Sequence, residues 1–222
     1  MALPDHVHAL PLTTTIQGRE RTFTPAAVET ESGLLLFDVG LPGTLDLLEA
    51  ELEAADFGLS DVEGVLLTHQ DGDHCGALAE LREATDPFVV AHEPTARIVD
   101  GREDPRSGPD RYPPARVDCA FDGSVTFDTL AGPAHVFPTP GHTPDHVSVH
   151  FPEARFLLAG DALTADEDGL QSPNEGFTED WDRALESVAA LAELDVESTL
   201  CFHGGFVEAG RDRIAEIGET GE

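Results

Sequence analysis

Within nine residues, Thr68-His69-Gln70-Asp71-Gly72-Asp73-His74-Cys75-Gly76, the chain sets four metal-ligand side chains: His69, Asp71, Asp73 and His74. The apolar run Val65-Leu66-Leu67 leads into them and a helix-like stretch follows. Imidazole and carboxylate are the donors that a borderline divalent ion such as zinc, iron or manganese accepts. A strand running out into such a cluster puts the donors at a sheet edge, where a catalytic metal site draws on several strand ends.

Further ligand-type residues stand downstream. Pro140-Gly141-His142-Thr143-Pro144-Asp145-His146 separates two strand-like runs, Leu157-Leu158-Ala159 runs into Gly160-Asp161, and Thr199-Leu200-Cys201-Phe202 runs into His203-Gly204-Gly205. Each places a ligand-type residue beside glycine at the end of a strand, where a residue without Cβ lets the backbone turn sharply or approach a neighbour closely.

Taken together these motifs resemble the metallo-β-lactamase-fold hydrolases, the superfamily that also holds glyoxalase II and the acyl-homoserine lactonases. The first motif there reads H-x-H-x-D-H. Here it reads His69-x-Asp71-x-Asp73-His74, with aspartate in place of the second histidine. The G-H-T-x-x-H segment at Gly141–His146, the Gly160-Asp161 pair, the late His203 and an early Leu35-Leu36-Phe37-Asp38-Val39-Gly40 follow in the family's order, so the likeness runs from about residue 23 to 205. It implies an α/β chain forming a four-layer αβ/βα sandwich, one domain over 1–222. It implies one metal site of His69, Asp71 and His142 and another of Asp73, His74 and His203, with Asp161 bridging the two. Two divalent ions, zinc first and iron or manganese as alternatives, would hold a bridging hydroxide that attacks an ester-type bond, a thioester or lactone, in a small molecule. Asp73 would orient that hydroxide and help protonate the leaving group, which makes it the candidate catalytic residue. Asp71 is a harder donor than imidazole and shifts the preference from zinc towards iron or manganese. Asp38 and His146 read as residues that hold the ligands from behind.

The residue pattern predicts interleaved strands and helices. Strands are expected over residues 7–38 with a hairpin near Gln17-Gly18-Arg19-Glu20, and again at 62–68, 88–91, 124–130, 135–138, 147–151, 155–159 and 199–202. Helices are expected at 44–55 with Thr44 as cap, at 77–84, at 93–99, from Trp181 to about Leu194, and as a closing helix over Val207–Ile217. Residues 101–116 are rich in Pro and Gly and read as a loop. Four of the chain's 12 basic residues, all arginines, fall in it, together with Tyr112, the sole tyrosine. Two expectations stand for it. One is a flap in which Arg111 holds an acidic substrate group and Tyr112 donates to an oxyanion. The other is a loop whose arginines pair with surrounding acids.

Composition bounds the rest. A chain of 222 residues with 40% apolar residues can build a sizeable core. The net charge is −32, from 44 acidic and 12 basic residues, with no lysine. Such a surface repels itself in dilute buffer, and at molar salt the Debye length shrinks to roughly 3 Å and screens that repulsion. The charge points to a salt-filled cytoplasm and excludes nucleic acid as a ligand, for want of a basic patch. A leader and a membrane span are not expected, so the partner expected is a small-molecule substrate, with no membrane partner; the sequence does not set the oligomeric state. The three cysteines are expected reduced, with Cys75 and Cys201 as small buried apolar residues. Two other readings use the same motifs: a mononuclear iron dioxygenase acting on persulfides, and a non-catalytic metal-binding module.

Overall fold

The computed structural model describes residues 2–108 and 111–221, so Pro109 and Asp110 of the arginine-rich loop lie outside the described residues. The chain divides into two compact units, Val7–Asp122 and Gly123–Glu222 with the N-terminal residues.

The first unit carries β1 (Val7–Ala9), β2 (Leu12–Ile16), β3 (Arg19–Phe23), β4 (Ala26–Glu29), β5 (Leu34–Phe37), α1 (Leu45–Ala54), β6 (Val62–Leu67), α2 (Gly72–Cys75), α3 (Leu78–Ala84), β7 (Phe88–His92), α4 (Glu93–Val99) and β8 (Cys119–Phe121). Its six-stranded sheet has the order β1-β4-β5-β6-β7-β8, and β2 and β3 form a separate hairpin. The hairpin turns on Gln17 and Gly18, both at positive φ, a two-residue connection whose twist matches that of the strands. β5, β6, β7 and β8 run parallel. Parallel strands need covered faces, which is why β5 and the end of β6 are unbroken apolar runs rather than alternating ones. On one face Leu34 and Leu36 of β5 and Val65 and Leu67 of β6 share a core with Leu48 and Leu52 of α1 and Leu78 and Leu81 of α3. Parallel order also brings the residues that follow β5, β6 and β7 to one sheet edge, the edge where α/β proteins place their chemistry.

The second unit carries β9 (Val125–Thr129), β10 (Gly132–Pro138), β11 (Val147–Phe151), β12 (Phe156–Gly160), β13 (Thr164–Asp166), β14 (Gly169–Gln171), α5 (Trp181–Leu191), β15 (Ser198–Cys201), β16 (Gly205–Val207) and α6 (Arg211–Thr220). Its six-stranded sheet has the order β16-β15-β12-β11-β10-β9. Leu157 and Ala159 of β12 pack with Val188 and Leu191 of α5 and Ile214 and Ile217 of α6.

Four details differ from the sequence expectations. Val207 is not helical: it ends β16, paired antiparallel with Thr199 of β15, and α6 starts only at Arg211. Gly210 separates the two because a Cβ there would meet the Val196 carbonyl oxygen at 2.1 Å. Thr44 sits at the N-terminus of α1, but its hydroxyl donates to the Leu41 carbonyl at 2.8 Å and caps nothing. Neither the β13–β14 hairpin nor β8 has a counterpart in the expectations, because strands of three residues are too short to show an alternating pattern. Among the described residues no helix is long and apolar enough to cross a membrane.

Candidate metal centre

In the first unit the ligand-type residues hang from Asp38. This residue directly follows β5, sits at φ 63° and is buried. Aspartate tolerates that left-handed conformation better than most side chains. Its Oδ1 accepts the Thr68 N–H at 2.8 Å, and its Oδ2 accepts the Thr68 hydroxyl at 2.7 Å and His74 Nδ1–H at 2.8 Å. These bonds fix proton positions. With His74 Nδ1 donating to a carboxylate, Nε2 carries that ring's lone pair. The Thr68 hydroxyl spends its proton on Asp38, so at its 3.1 Å contact with His69 Nδ1 the hydroxyl oxygen accepts. His69 Nε2 therefore also carries a lone pair. Both rings are fully buried, with centroids 4.0 Å apart. An imidazole whose far nitrogen donates to an oxygen acceptor is the form in which histidine binds metal.

The backbone between them turns through α2. The His74 N–H bonds the Asp71 carbonyl at 3.0 Å, and the Val39 N–H bonds the His74 carbonyl at 2.7 Å. Gly76 closes this turn, since a Cβ would sit 2.2 Å from both the Gly72 carbonyl and Pro42. Asp71 Oδ2 lies 3.5 Å from His69 Nε2. Asp73 is half-buried on α2, directly before His74.

In the second unit His142, Asp161 and His203 come together. Asp161 Oδ2 lies 3.4 Å from His142 Nε2 and 3.3 Å from His203 Nε2. Ligands at about 2.0–2.2 Å from a tetrahedral ion stand about 3.3–3.6 Å apart, so these spacings and the His69–Asp71 spacing fit donors gathered around divalent ions. His142 is held by the start of α5: Asp180 and Glu179 donate their N–H groups to the Gly141 and His142 carbonyls. Gly141, at φ 140°, leaves no room for a Cβ, which would meet Ala184 Cα at 2.3 Å. His203 follows β15 and Phe202, and its carbonyl accepts the Ala165 N–H at 2.9 Å from β13.

His146 is built into a different network. The Asp161 N–H donates to its Nε2 at 2.9 Å, so Nδ1 holds the proton and donates to the Thr139 hydroxyl at 2.8 Å. Thr139 bonds Ser148 Oγ at 2.8 Å, and Ser148 donates to the Ala159 carbonyl at 2.9 Å. Both ring nitrogens are engaged, and the backbone of Asp161 is pinned by the one that accepts.

Arg111 and Tyr112 do not occupy the substrate-holding positions expected of a flap. Arg111 donates to the carbonyls of Ile98, Val99, Glu103 and Tyr112, and its guanidinium stands 4.9 Å from the centre of the Tyr112 ring. Tyr112 is 6% exposed and donates to the Gln70 carbonyl at 2.8 Å. Burial, with Cys75 beside it, pushes its phenol well above the ordinary range. Carbonyls at a loop's ends need donors, and these two side chains supply them. The loop's other arginines pair with acids: Arg102 with Asp100, Arg116 with Asp118, and Arg106 with Asp71. The last pair was not legible in the sequence, nor were the parts played by Thr68, Thr139 and Ser148. For Thr68 a weak signal existed in its place beside His69.

Cys75 and Cys201 are buried and free, and Cys119 is exposed and free. Burial raises both buried thiols well above their usual range, helped at Cys201 by the charge of Asp161. Neither is poised as a thiolate at neutral pH.

Comparison with known proteins gives the family. The family model described as the metallo-beta-lactamase superfamily matches residues 26–203. The chain belongs to the metallo-β-lactamase superfamily. It is therefore a metal-dependent hydrolase with that superfamily's α/β fold. It is 31% identical over 208 residues to a probable metallo-hydrolase of Bacillus subtilis (strain 168), covering 77% of this chain and 75% of the relative. It is 37% identical over 118 residues to a hydroxyacylglutathione hydrolase of Rhodopseudomonas palustris (strain HaA2), covering 52% of this chain and 38% of the relative. A crystal structure of a metallo-β-lactamase family protein from Thermus thermophilus superposes with a TM-score of 0.78 over 98% of this chain and 80% of the other, at 23% identity.

Proposed function

We propose that the superfamily chemistry in this chain is hydrolysis of an ester-type bond, a thioester or lactone, in a small molecule. In this reading the two compact units act as one domain. His69, Asp71 and His142 would hold one divalent ion and Asp73, His74 and His203 the other, with Asp161 as the shared ligand. The observation that carries the reading is the single Asp161 oxygen standing between two imidazole nitrogens, 3.4 Å and 3.3 Å away, as a bridging carboxylate would. The lone-pair nitrogens that Asp38 and Thr68 impose on His74 and His69 support it. Bound ions would lower the pKa of a shared water towards ~7 and polarise the substrate carbonyl.

This chain's own groups supply the rest. Asp73 accepts the proton of the attacking water and delivers it to the leaving group. Asp38 and His146 keep the ligands oriented without touching substrate. The thioester reading draws on the hydroxyacylglutathione hydrolase relatives, of whose length this chain spans between 38% and 54%. Zinc is the proposed ion, with iron or manganese as the alternatives that the harder Asp71 donor would suit. The net charge of −32 supports a salt-rich cytoplasm as the setting.

Metal analysis of protein purified in high salt, then a panel of thioesters, lactones and phosphoesters, tests this. About two ions per chain are expected, with Asp161→Asn losing at least one of them and all ester hydrolysis. Fewer than one ion per chain, with Asp161→Asn changing neither metal content nor activity, would overturn it.

A further inference from the structure

Asp71 stands where the resembling first motif carries a neutral imidazole, and in this chain it does not stand alone. Arg106 Nε donates to Asp71 Oδ1 at 2.8 Å and Arg106 Nη2 donates to Asp71 Oδ2, a two-point fork that holds the carboxylate plane. The fork is delivered by a loop fastened to the same turn at further points. The Arg106 N–H bonds Gln70 Oε1 at 2.8 Å, and the Tyr112 hydroxyl bonds the Gln70 carbonyl at 2.8 Å. Gly72 lies against the Tyr112 ring, where a Cβ would stand 3.4 Å from Cδ1. The side chains of Arg106 and Asp71 are 22% and 21% exposed, so water screens their pairing only in part.

Two consequences follow from elementary chemistry. A carboxylate oxygen has two lone pairs. A guanidinium that takes one from each oxygen leaves the others for a cation while removing the freedom of the side chain to rotate. The guanidinium also returns one positive charge where aspartate, replacing imidazole, adds one negative charge. A histidine at position 71 would leave that guanidinium beside a divalent ion with no anion between them.

We infer that Arg106 and Asp71 form one metal-binding unit, in which Arg106 is a positioning residue that orients the Asp71 carboxylate and offsets its charge. The inference rests on the proposed reading of Asp71 as a ligand. It makes the residue at position 71 conditional on the one at position 106: aspartate needs the arginine, and histidine is tolerated only without it.

The test is a double-mutant cycle on the full chain, with zinc as the probe and its dissociation constant read by competition against a chromogenic chelator. In the Arg106 background, Asp71→His weakens zinc binding by about tenfold or more, whereas in the Arg106→Ala background the same change is neutral or tightens binding. A merely structural role for Arg106 would lower stability without making the Asp71→His effect depend on background. Asp71→Asn in the same two backgrounds, with folding followed by circular dichroism, serves if the histidine variant does not fold. An equal penalty for the position-71 change in both backgrounds overturns the inference. Asp161→Asn separates the two levels: if it removes zinc while the cycle is additive, only the Arg106 unit is wrong, and if it leaves zinc binding unchanged, the site reading fails and takes this inference with it.

Discussion

Replacing Asp38 with asparagine alters proton positions at two candidate ligands without removing either. Asparagine accepts the left-handed backbone at this position, and its Oδ1 can still take the Thr68 N–H. The amide NH2 then stands where Oδ2 accepted two donors, the Thr68 hydroxyl and His74 Nδ1–H. It can bond His74 only if Nδ1 gives up its proton, which moves the proton to Nε2 and removes the lone pair a metal needs. It can bond Thr68 only if the hydroxyl turns away, and the acceptor then within reach is His69 Nδ1 at 3.1 Å, which moves that ring's proton to Nε2 as well.

Three hydrogen bonds to a charged acceptor, worth about 1.5–3 kcal/mol each, become neutral ones worth about 0.5–1.5, a net loss of about 3–4.5 kcal/mol. That sits within the 5–15 kcal/mol or so of an ordinary domain, so Asp38→Asn folds. Metal affinity carries the larger change. Loss of a histidine's supporting partner typically costs about 10–100-fold, and with two rings affected the upper end is expected, about 2.8 kcal/mol at the site. Urea unfolding of the metal-stripped variant measures the first quantity and chelator competition for zinc the second. Zinc affinity equal to that of the parent chain, in a folded Asp38→Asn protein, would refute the proton assignment on which both candidate ligands depend.

Burial holds His150 below the ordinary imidazole range, with His135 across the strand pair adding to it and the Asp195 carbonyl opposing it. The folded chain thus binds this proton less readily than the unfolded one, so the contribution of His150 is fully present above about pH 6.5 and is lost as pH falls through the folded value. His150→Gln should flatten the decline in urea midpoint between pH 7.5 and 5.5 relative to the parent, and parallel profiles would remove this account. Lowering potassium chloride from molar to about 0.1 M lengthens the Debye length to about 10 Å and should lower the melting temperature of a chain with 44 acidic and 12 basic residues. A melting temperature independent of salt would argue against a salt-rich setting.

Much of the fold was written locally. The apolar runs of β5, β6 and β12, the helical spacing of Leu48 and Leu52, and the glycines beside His142, Asp161 and His203 are patterns within a few residues, and they place the candidate ligands in the segments that follow strands. The short β13–β14 hairpin and the β16 strand were not legible, because three-residue strands carry too little alternation to outweigh the helix-like run after them.

What the sequence determined by itself was the identity of the donors and the strand ends that present them, since both depend on neighbours a turn or a strand apart. What only the tertiary structure decided was the state of those donors. Which nitrogen of His69, His74 or His146 holds the proton is set by Asp38, Thr68 and the backbone of Asp161, and that Asp71 is gripped by Arg106 while Arg111 and Tyr112 serve carbonyls is set by how the loop folds back. Those partners come from distant parts of the chain, a hydrogen bond depends on tenths of an ångström, and no local periodicity encodes such a distance.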